Sequence, residues 1–355
     1  MSIPCKTYLI APLDWGLGHA SRCVPIIQLL VKHNQKVIVA ATGHSRQWLS
    51  LEFPDLTIVD FPGVKVEFES GQSFGLKSFL LGLKLWKGVK EDLIFMKEIV
   101  RKHKVDVVIS DNRYGARTDN TRNILITHQL FLRVPFFLRR FVSRIVKEQI
   151  GRFDQCWIPD IDEENCLSGE LSHKGDLPEN FHYIGWLSRF RYQNIPLEKE
   201  VDVLVLISGP DPARSDFERA MRAWFEASEQ KTVMICGRSN GIIEQMGNLT
   251  IYPNATTKEL ANWILRSRRI ICRSGYSTLM DLMTLRRSAL LIPTPGQSEQ
   301  EYLALLMQSQ KWFHSLSHYE MKSKLESSLN EMEYIIPDIS NDAEGMLKIL
   351  LALES

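Results

Sequence analysis

Net charge is the first thing this chain lacks. Its 355 residues carry 43 Lys and Arg against 42 Asp and Glu, a balance of +1. That near-neutrality argues against a dedicated nucleic-acid binder, which needs a basic stripe. Long hydrophobic runs are also missing, and none approaches the ~20 residues that span a bilayer. The first residues, MSIPCKTYLIAPLDWG, have no basic stretch followed by an apolar core, so no signal peptide is expected. Six cysteines, at positions 5, 23, 156, 166, 236 and 272, form no CxxC pair and no zinc-ligand spacing. They read as reduced core residues of a cytoplasmic protein. Composition is otherwise that of a globular protein, 44% hydrophobic and 24% charged. The length is comfortable for two domains.

What the chain does have is a series of short apolar runs that end in small-residue turns. The clearest unit covers 272–302, CRSGYSTLMDLMTLRRSALLIPTPGQSEQEY. Residues 269–272 read as the end of a buried parallel strand. Ser274 and Gly275 then turn the chain, and Ser277 or Thr278 is placed to cap a helix carrying Leu279, Leu282 and Met283. A second strand over 288–292 gives way to a polar loop over 294–301. In a doubly wound sheet both loops leave the carboxyl edge, where such folds take their ligands. A helix N-terminus there offers free N–H groups to a phosphate. Asp281 lies about one turn beyond Thr278, within reach of a ribose hydroxyl.

The amino-terminal end has the same grammar. Strands over 7–11 and 36–41 flank a helix over 19–32, the opening of a Rossmann-like half. The intervening loop, Gly16-Leu17-Gly18-His19-Ala20-Ser21-Arg22, lacks the third glycine of the dinucleotide fingerprint, and no acidic residue closes 36–41. His19 belongs to a residue type titrating near ~6.5, which suits a base at neutral pH. At a helix N-terminus it can equally contact phosphate. Asp14 and Asp111 are alternative carboxylate bases, and Arg22 either forms a salt bridge or binds phosphate. A buried strand over 105–110 ends in Asp111, Asn112 and Arg113, polar residues expected to face a cleft. His128, after a strand over 124–127, is a further cleft candidate. Residues 74–104 read as two helices.

Residues 130–150 hold five basic side chains against Glu148 alone, with clustered phenylalanines. Such a segment can lie in an anionic lipid surface; the alternative is a buried helix rimmed by arginines. In the second half, a strand over 203–208 is followed by Gly209-Pro210-Asp211-Pro212. A strand over 232–236 ends in Gly237 and Arg238, and the loop 254–257 follows another. A final helix is expected over 341–351.

Taken together, these motifs resemble the GT-B nucleotide-sugar glycosyltransferases of the family 28 kind. They are most similar to the lipid-II-forming UDP-N-acetylglucosamine transferases of peptidoglycan synthesis. The resemblance implies an α/β GT-B fold, two Rossmann-like domains facing each other across a cleft. It implies an acceptor domain over 1–183, a linker over 184–202 and a nucleotide-sugar donor domain over 203–340. The helix in 341–355 would pack back on the first domain. Gly16 and Gly18 would face the donor, with His19 and Asp111 as catalytic candidates. Arg189, Ser208, Gly209, Arg238, Ser274, Gly275, Ser277 and Thr278 would surround the diphosphate, and Thr257 the nucleotide base. Asp281, where the family has Glu, would hold the ribose. Gln300 and Glu301, where the family has Gln-Gln, would touch the donor sugar. Asn112, Arg113 and His128 would lie on the acceptor side.

The expected reaction moves an N-acetylhexosamine or hexose from a UDP-sugar to a lipid-linked or cell-envelope acceptor, with inversion. A base must take the acceptor proton, and a positive environment must receive the departing diphosphate. No Asp-x-Asp motif stands where a divalent ion would bridge that diphosphate, so neither metal nor cofactor is expected beyond the UDP-sugar co-substrate. No nucleic-acid partner is expected. The protein would be cytoplasmic, peripheral on the inner face of the plasma membrane through 130–150. The competing reading is a nucleotide-sugar hydrolase or epimerase on the same fold, which the Gly16-x-Gly18-His19-x-x-Arg22 pattern also fits.

Overall fold

Apolar runs of four to six residues, buried on both faces, demand helices above and below them, and amphipathic helices follow nearly every run. The computed structural model describes residues 4–63, 76–134, 136–192, 198–238 and 241–353. Linker positions 193–197 and residue 135 of the basic aromatic segment lie outside the described residues.

The first sheet contains β1 (Thr7–Pro12), β2 (Lys36–Ala41), β3 (Thr57–Asp60), β4 (Val107–Asp111), β5 (Arg122–Ile126), β6 (Gln155–Ile158) and β7 (Phe181–Tyr183). Helices α1 (Leu17–Lys32), α2 (Gly43–Glu52), α3 (Leu76–His103) and α4 (Phe136–Ile150) connect them. All pairings are parallel, in the order β3-β2-β1-β4-β5-β6-β7.

The second sheet contains β8 (Val201–Leu206), β9 (Thr232–Ile235), β10 (Glu244–Met246), β11 (Leu249–Tyr252), β12 (Ser267–Cys272), β13 (Leu290–Leu291) and β14 (His314–Ser315). Its helices are α5 (Ala213–Phe225), α6 (Thr257–Arg266), α7 (Tyr276–Thr284), α8 (Ser298–Ser309), α9 (Met321–Asn330) and α10 (Ala343–Leu351). The order is β10-β11-β9-β8-β12-β13-β14, parallel except for the edge hairpin β10–β11. Both sheets thus contain the doubly wound order 3-2-1-4-5-6, and each has its switch point beside its first strand.

Two elements differ from the sequence reading. Residues 76–103 form one helix, α3, rather than two. No proline interrupts this run, and an internal glycine costs only about 1 kcal/mol, too little to break a long helix that can pack. Helix α7 starts at Tyr276 with Gly275 as its N-cap, ahead of the expected Ser277 or Thr278, and makes no side-chain capping bond.

One continuous apolar core runs through both units. Ile10, Val24, Ile27 and Ile109 of the first share it with Leu204, Ile270, Leu279 and Leu282 of the second. Helix α10 joins through Leu347 and Leu351, and the Arg122 guanidinium donates to the Leu350 carbonyl at 3.2 Å. Trp186, after β7, is tied to the segment before α10: Asn341 accepts from its backbone N–H at 2.6 Å.

Candidate active site between the two sheets

The switch points of the two sheets face each other. Gly16, the N-cap of α1 at φ +86°, would place a Cβ only 3.7 Å from the Gly209 backbone after β8. The positive φ explains the glycine, because an L side chain there is strained. Two residues on, the Ser277 hydroxyl of α7 donates to the Gly18 carbonyl of α1 at 2.8 Å. Neither α1 nor α7 has a side-chain cap or an acidic residue in its first turn. Two sets of free N–H groups and two positive dipole ends therefore converge on one gap.

Asp111 closes β4 and is fully buried. Arg22 of α1, itself 2% exposed, grips it with two prongs: Nε donates to Oδ2 at 2.5 Å and Nη2 to Oδ1. His19 brings Nδ1 to 3.1 Å from Oδ1, and the Cys23 thiol points at Oδ2. Burial pushes the Asp111 carboxyl up, but Arg22 and His19 pull harder, and it settles at about 2. Burial pushes His19 below the usual histidine value and Arg22 adds to that, while Asp111 opposes both. His19 is therefore neutral at neutral pH. Its side chain is 16% exposed, and no group among the described residues bonds its Nε2.

The network continues across the gap. Arg22 Nη1 lies 3.4 Å from His128 Nδ1, and His128 Nε2 is 2.8 Å from Oε1 of Glu299, in the first turn of α8. Gln129 donates to the other Glu299 oxygen. The His128 ring stacks on Tyr276 with centroids 3.9 Å apart, and the Tyr276 hydroxyl bonds the Pro159 carbonyl. Tyr302 accepts from the Glu170 N–H at 2.7 Å, so the first turns of α8 are seated on the first unit.

The other residues singled out from the sequence are placed as follows. Ser274 is buried and donates to the Gln300 carbonyl, while Gln300 Oε1 accepts from the Thr294 N–H, so both shape the loop before α8. Glu301 accepts from the Gly296 N–H. Thr278, beside Gly275, and Ser208, beside Gly209, lie on the facing turns. Asp281 is buried against the Ser188 hydroxyl at 2.7 Å and Arg189 Nε at 3.3 Å. Each of Asp281 and Arg189 thus already has the other as partner. Arg238 pairs with Glu218, and its buried Nε has no hydrogen-bond acceptor in range among the described residues. Thr257 bonds Glu52 of α2 across the gap.

One reading needs correction, and two further residues have structural bonds. Arg113 does not face the gap: it makes a bidentate bond with Asp92, donates to the Phe61 and Pro62 carbonyls, and lies 3.5 Å over the Phe61 ring. Its Nε, Nη1 and Nη2 are all bonded to structure. Asp14 holds the start of α2, its Oδ1 accepting from the Ser45 hydroxyl at 2.8 Å. Asn112, in the left-handed region at φ +54°, takes the Thr127 hydroxyl at 3.2 Å and serves the turn after β4. Sequence reasoning passed over Glu299, Gln129 and Tyr276, whose partners lie across the gap. Glu299's only sequence signal was its place next to Gln300.

Two further features bear on binding. A 640 Å³ cavity lies between α2 and the edge loops after β9 and β11, lined by Thr42, His44, Trp48, Gly237, Arg238 and Asn254. Asp160, Cys166 and His173 bring metal-capable atoms within 4.8 Å of one another. The Asp160 carboxylate, however, already accepts from three backbone N–H groups, the Ser168 hydroxyl and the Trp186 indole. It is a structural hub for the loop after β6.

Residues 217–344 match the glycosyltransferase family 28 C-terminal domain. An uncharacterized glycosyltransferase of Methanosarcina acetivorans is 25% identical over 329 residues, covering 85% of this chain and 83% of its own. The chain is a glycosyltransferase of the GT-B fold. Among solved structures, this GT-B chain is similar to the glycosyltransferase SnogD from Streptomyces nogalater. The TM-score is 0.60 at 15% identity, over 99% of this chain and 100% of that one. Against MurG of Acinetobacter baumannii the TM-score is 0.54 at 13% identity, over 98% and 100%. Among the described residues, no helix of the glycosyltransferase is long and apolar enough to cross a membrane.

Proposed function

We propose that this glycosyltransferase moves a hexose or N-acetylhexosamine from a UDP-sugar to an acceptor hydroxyl, with inversion and without a metal, using His19 as the general base. The observation that carries the reading is the His19–Asp111 pair at the first switch point. A guanidinium only donates, and Arg22 already has both Asp111 oxygens as acceptors. Arg22 Nη2 also lies 2.8 Å from His19 Nδ1. In the tautomer with its proton on Nδ1 facing Asp111, His19 has a lone pair on Nε2, which no group among the described residues bonds. Asp111 then stabilises the imidazolium that forms when the acceptor proton arrives. A water in the acceptor's place would give the hydrolase reading, which no feature of the site favours.

The donor would lie on the second unit. Its diphosphate would meet the uncapped N-termini of α7 and α1, whose N–H groups suit an anion. The base would enter the 640 Å³ cavity beside Asn254. Asp281 would exchange Ser188 or Arg189 for the ribose hydroxyls, and Gln300 would orient the sugar.

A lipid-linked acceptor fits α4. Val142, Val146 and Ile150 pack inward, while Phe137 and Phe141 are 80% and 65% exposed on the opposite side among Arg140, Arg144 and Lys147. An apolar ridge flanked by cations is the pattern of a helix lying in an anionic lipid surface.

Calorimetric titration with a panel of nucleotides and nucleotide sugars tests the donor. UDP-sugar binding that weakens in Asp281→Ala supports the assignment. Failure of every nucleotide to bind would remove the transferase mechanism as drawn.

A further inference from the structure

Glu299 has no counterpart in the dyad mechanism, yet it is held with more care than Gln300 or Glu301 beside it. Its side chain is 22% exposed, and both of its oxygens are bonded, one by His128 and one by Gln129. Burial pushes its carboxyl up, but the His128 bond, with the charges of His128, His19 and Arg22, brings it below the ordinary value. It is an ionised group.

The bonds form a chain from Glu299 to His19. Glu299 accepts from His128 Nε2–H, which leaves His128 Nδ1 to accept from Arg22 Nη1. Arg22 donates from Nε and Nη2 to Asp111, and His19 Nδ1 lies 2.8 Å from Arg22 Nη2 and 3.1 Å from Asp111 Oδ1. The tautomer with its proton on Nδ1 toward Asp111 is the one a base needs, and it leaves His19 Nε2 as the basic end. Arg22 is a cation, and Asp111 and Glu299 are anions on opposite sides of it, so a proton captured by His19 meets negative charge from both units.

The chain also crosses the molecule. His19, Arg22, Asp111 and His128 belong to the first unit, and Glu299 to α8 of the second, directly before Gln300. Any separation of the units at this point removes the second anion from the base.

We propose that Glu299 is a positioning residue that makes His19 a competent base only when the donor-bearing unit is seated on the first. It fixes the His128 tautomer and supplies the second negative charge. The proposal rests on His19 being the base. The charged and titratable groups facing His19 are Arg22 from its own helix, Asp111 from β4, His128 from the loop after β5, and Glu299 from α8.

The test is the titration of His19 in the full-length protein, read from the 13C-labelled imidazole Cε1–H signals, with His19 assigned by its absence in His19→Gln. Glu299→Gln keeps the shape and removes the charge, so the His19 titration should move down by about half a pH unit or more. Glu299→Asp, which keeps the charge, should leave it near the wild-type position. If the Gln variant does not fold, Glu299→Ala reads the same loss of charge. An unmoved His19 titration in a folded, uncharged variant would overturn the proposal while leaving the base assignment standing. A moved titration combined with full sugar turnover in His19→Ala would overturn the base assignment and the proposal with it.

Discussion

The Ser277 hydroxyl and the Gly18 carbonyl are joined by a 2.8 Å hydrogen bond that brings the N-termini of α7 and α1 together. A Cβ at Gly18 would sit 3.1 Å from Ser277 Oγ, so the two helix ends have no room to spare. Gly18→Ala should push them apart by a few tenths of an ångström and weaken nucleotide binding roughly tenfold, since small misplacements at such sites are expensive. Adding Ser277→Gly should recover most of the loss. Calorimetry on the single and double variants checks this, and a double variant no better than Gly18→Ala would rule out the steric account.

His19→Ala should reduce turnover by about 100-fold or more while leaving nucleotide binding within a few-fold of wild type. The acid limb of the rate profile follows from the same residue. Protonated His19 cannot accept a proton, so kcat/KM falls as pH drops through its pKa. Burial and Arg22 hold that pKa below the ordinary 6.5, so the plateau should extend below pH 6.5. A limb above pH 7 would point to a different base.

Arg22 and Asp111 should matter to folding as well as to chemistry. Removing one partner of a buried ion pair strands the other, at a cost of about 3–5 kcal/mol. Arg22→Met and Asp111→Asn should both show losses of this order in urea unfolding. The Asp111 carboxyl is depressed from 3.8 to about 2 in the folded chain, so its contribution is whole above pH 3.8 and fades as pH falls towards 2. In Asp111→Asn that portion of the acid-sensitivity should disappear.

Asp281 and Arg189 lie at 12% exposure or less and bond each other, so a ribose must compete for Asp281. Asp281→Ala should weaken nucleotide affinity more than it slows turnover at saturation. Arg189→Ala frees one Asp281 oxygen and should weaken affinity less. The reverse ranking, read by titration of the two variants, would make Arg189 rather than Asp281 the donor contact.

Replacing Phe137 and Phe141 together with Ser should lower sedimentation with anionic vesicles on the order of tenfold, from the apolar area withdrawn from lipid. Binding of the intact chain should also fall with salt, because Arg140, Arg144 and Lys147 are exposed. Equal sedimentation of wild type and variant would exclude α4 as the lipid-facing surface.

The elements that carry this site were legible because they are local. A strand such as Val107–Asp111 is a β-branched run closed by a polar residue, and the turn at Ser274 and Gly275 follows one directly. His19 and Asp111 were read as alternative bases; their pairing, across 92 positions, comes from the doubly wound order, which places both at one switch point. Glu299 was not legible, because its partners stand 170 and 171 positions away on the other unit. Arg113 misled for a related reason. Its position after β4 predicts a cleft, but Asp92 of α3 claims it, and nothing in the local pattern announces that partner.

The shared core described above has a consequence for how the molecule comes apart. Ile27 of α1 and Leu282 of α7 belong to one uninterrupted apolar body, so neither half has a finished surface of its own. Melting should be a single cooperative event sensed equally by tryptophans in both halves, such as Trp157 and Trp312. A chain cut between β7 and β8 should yield two fragments that are soluble only together.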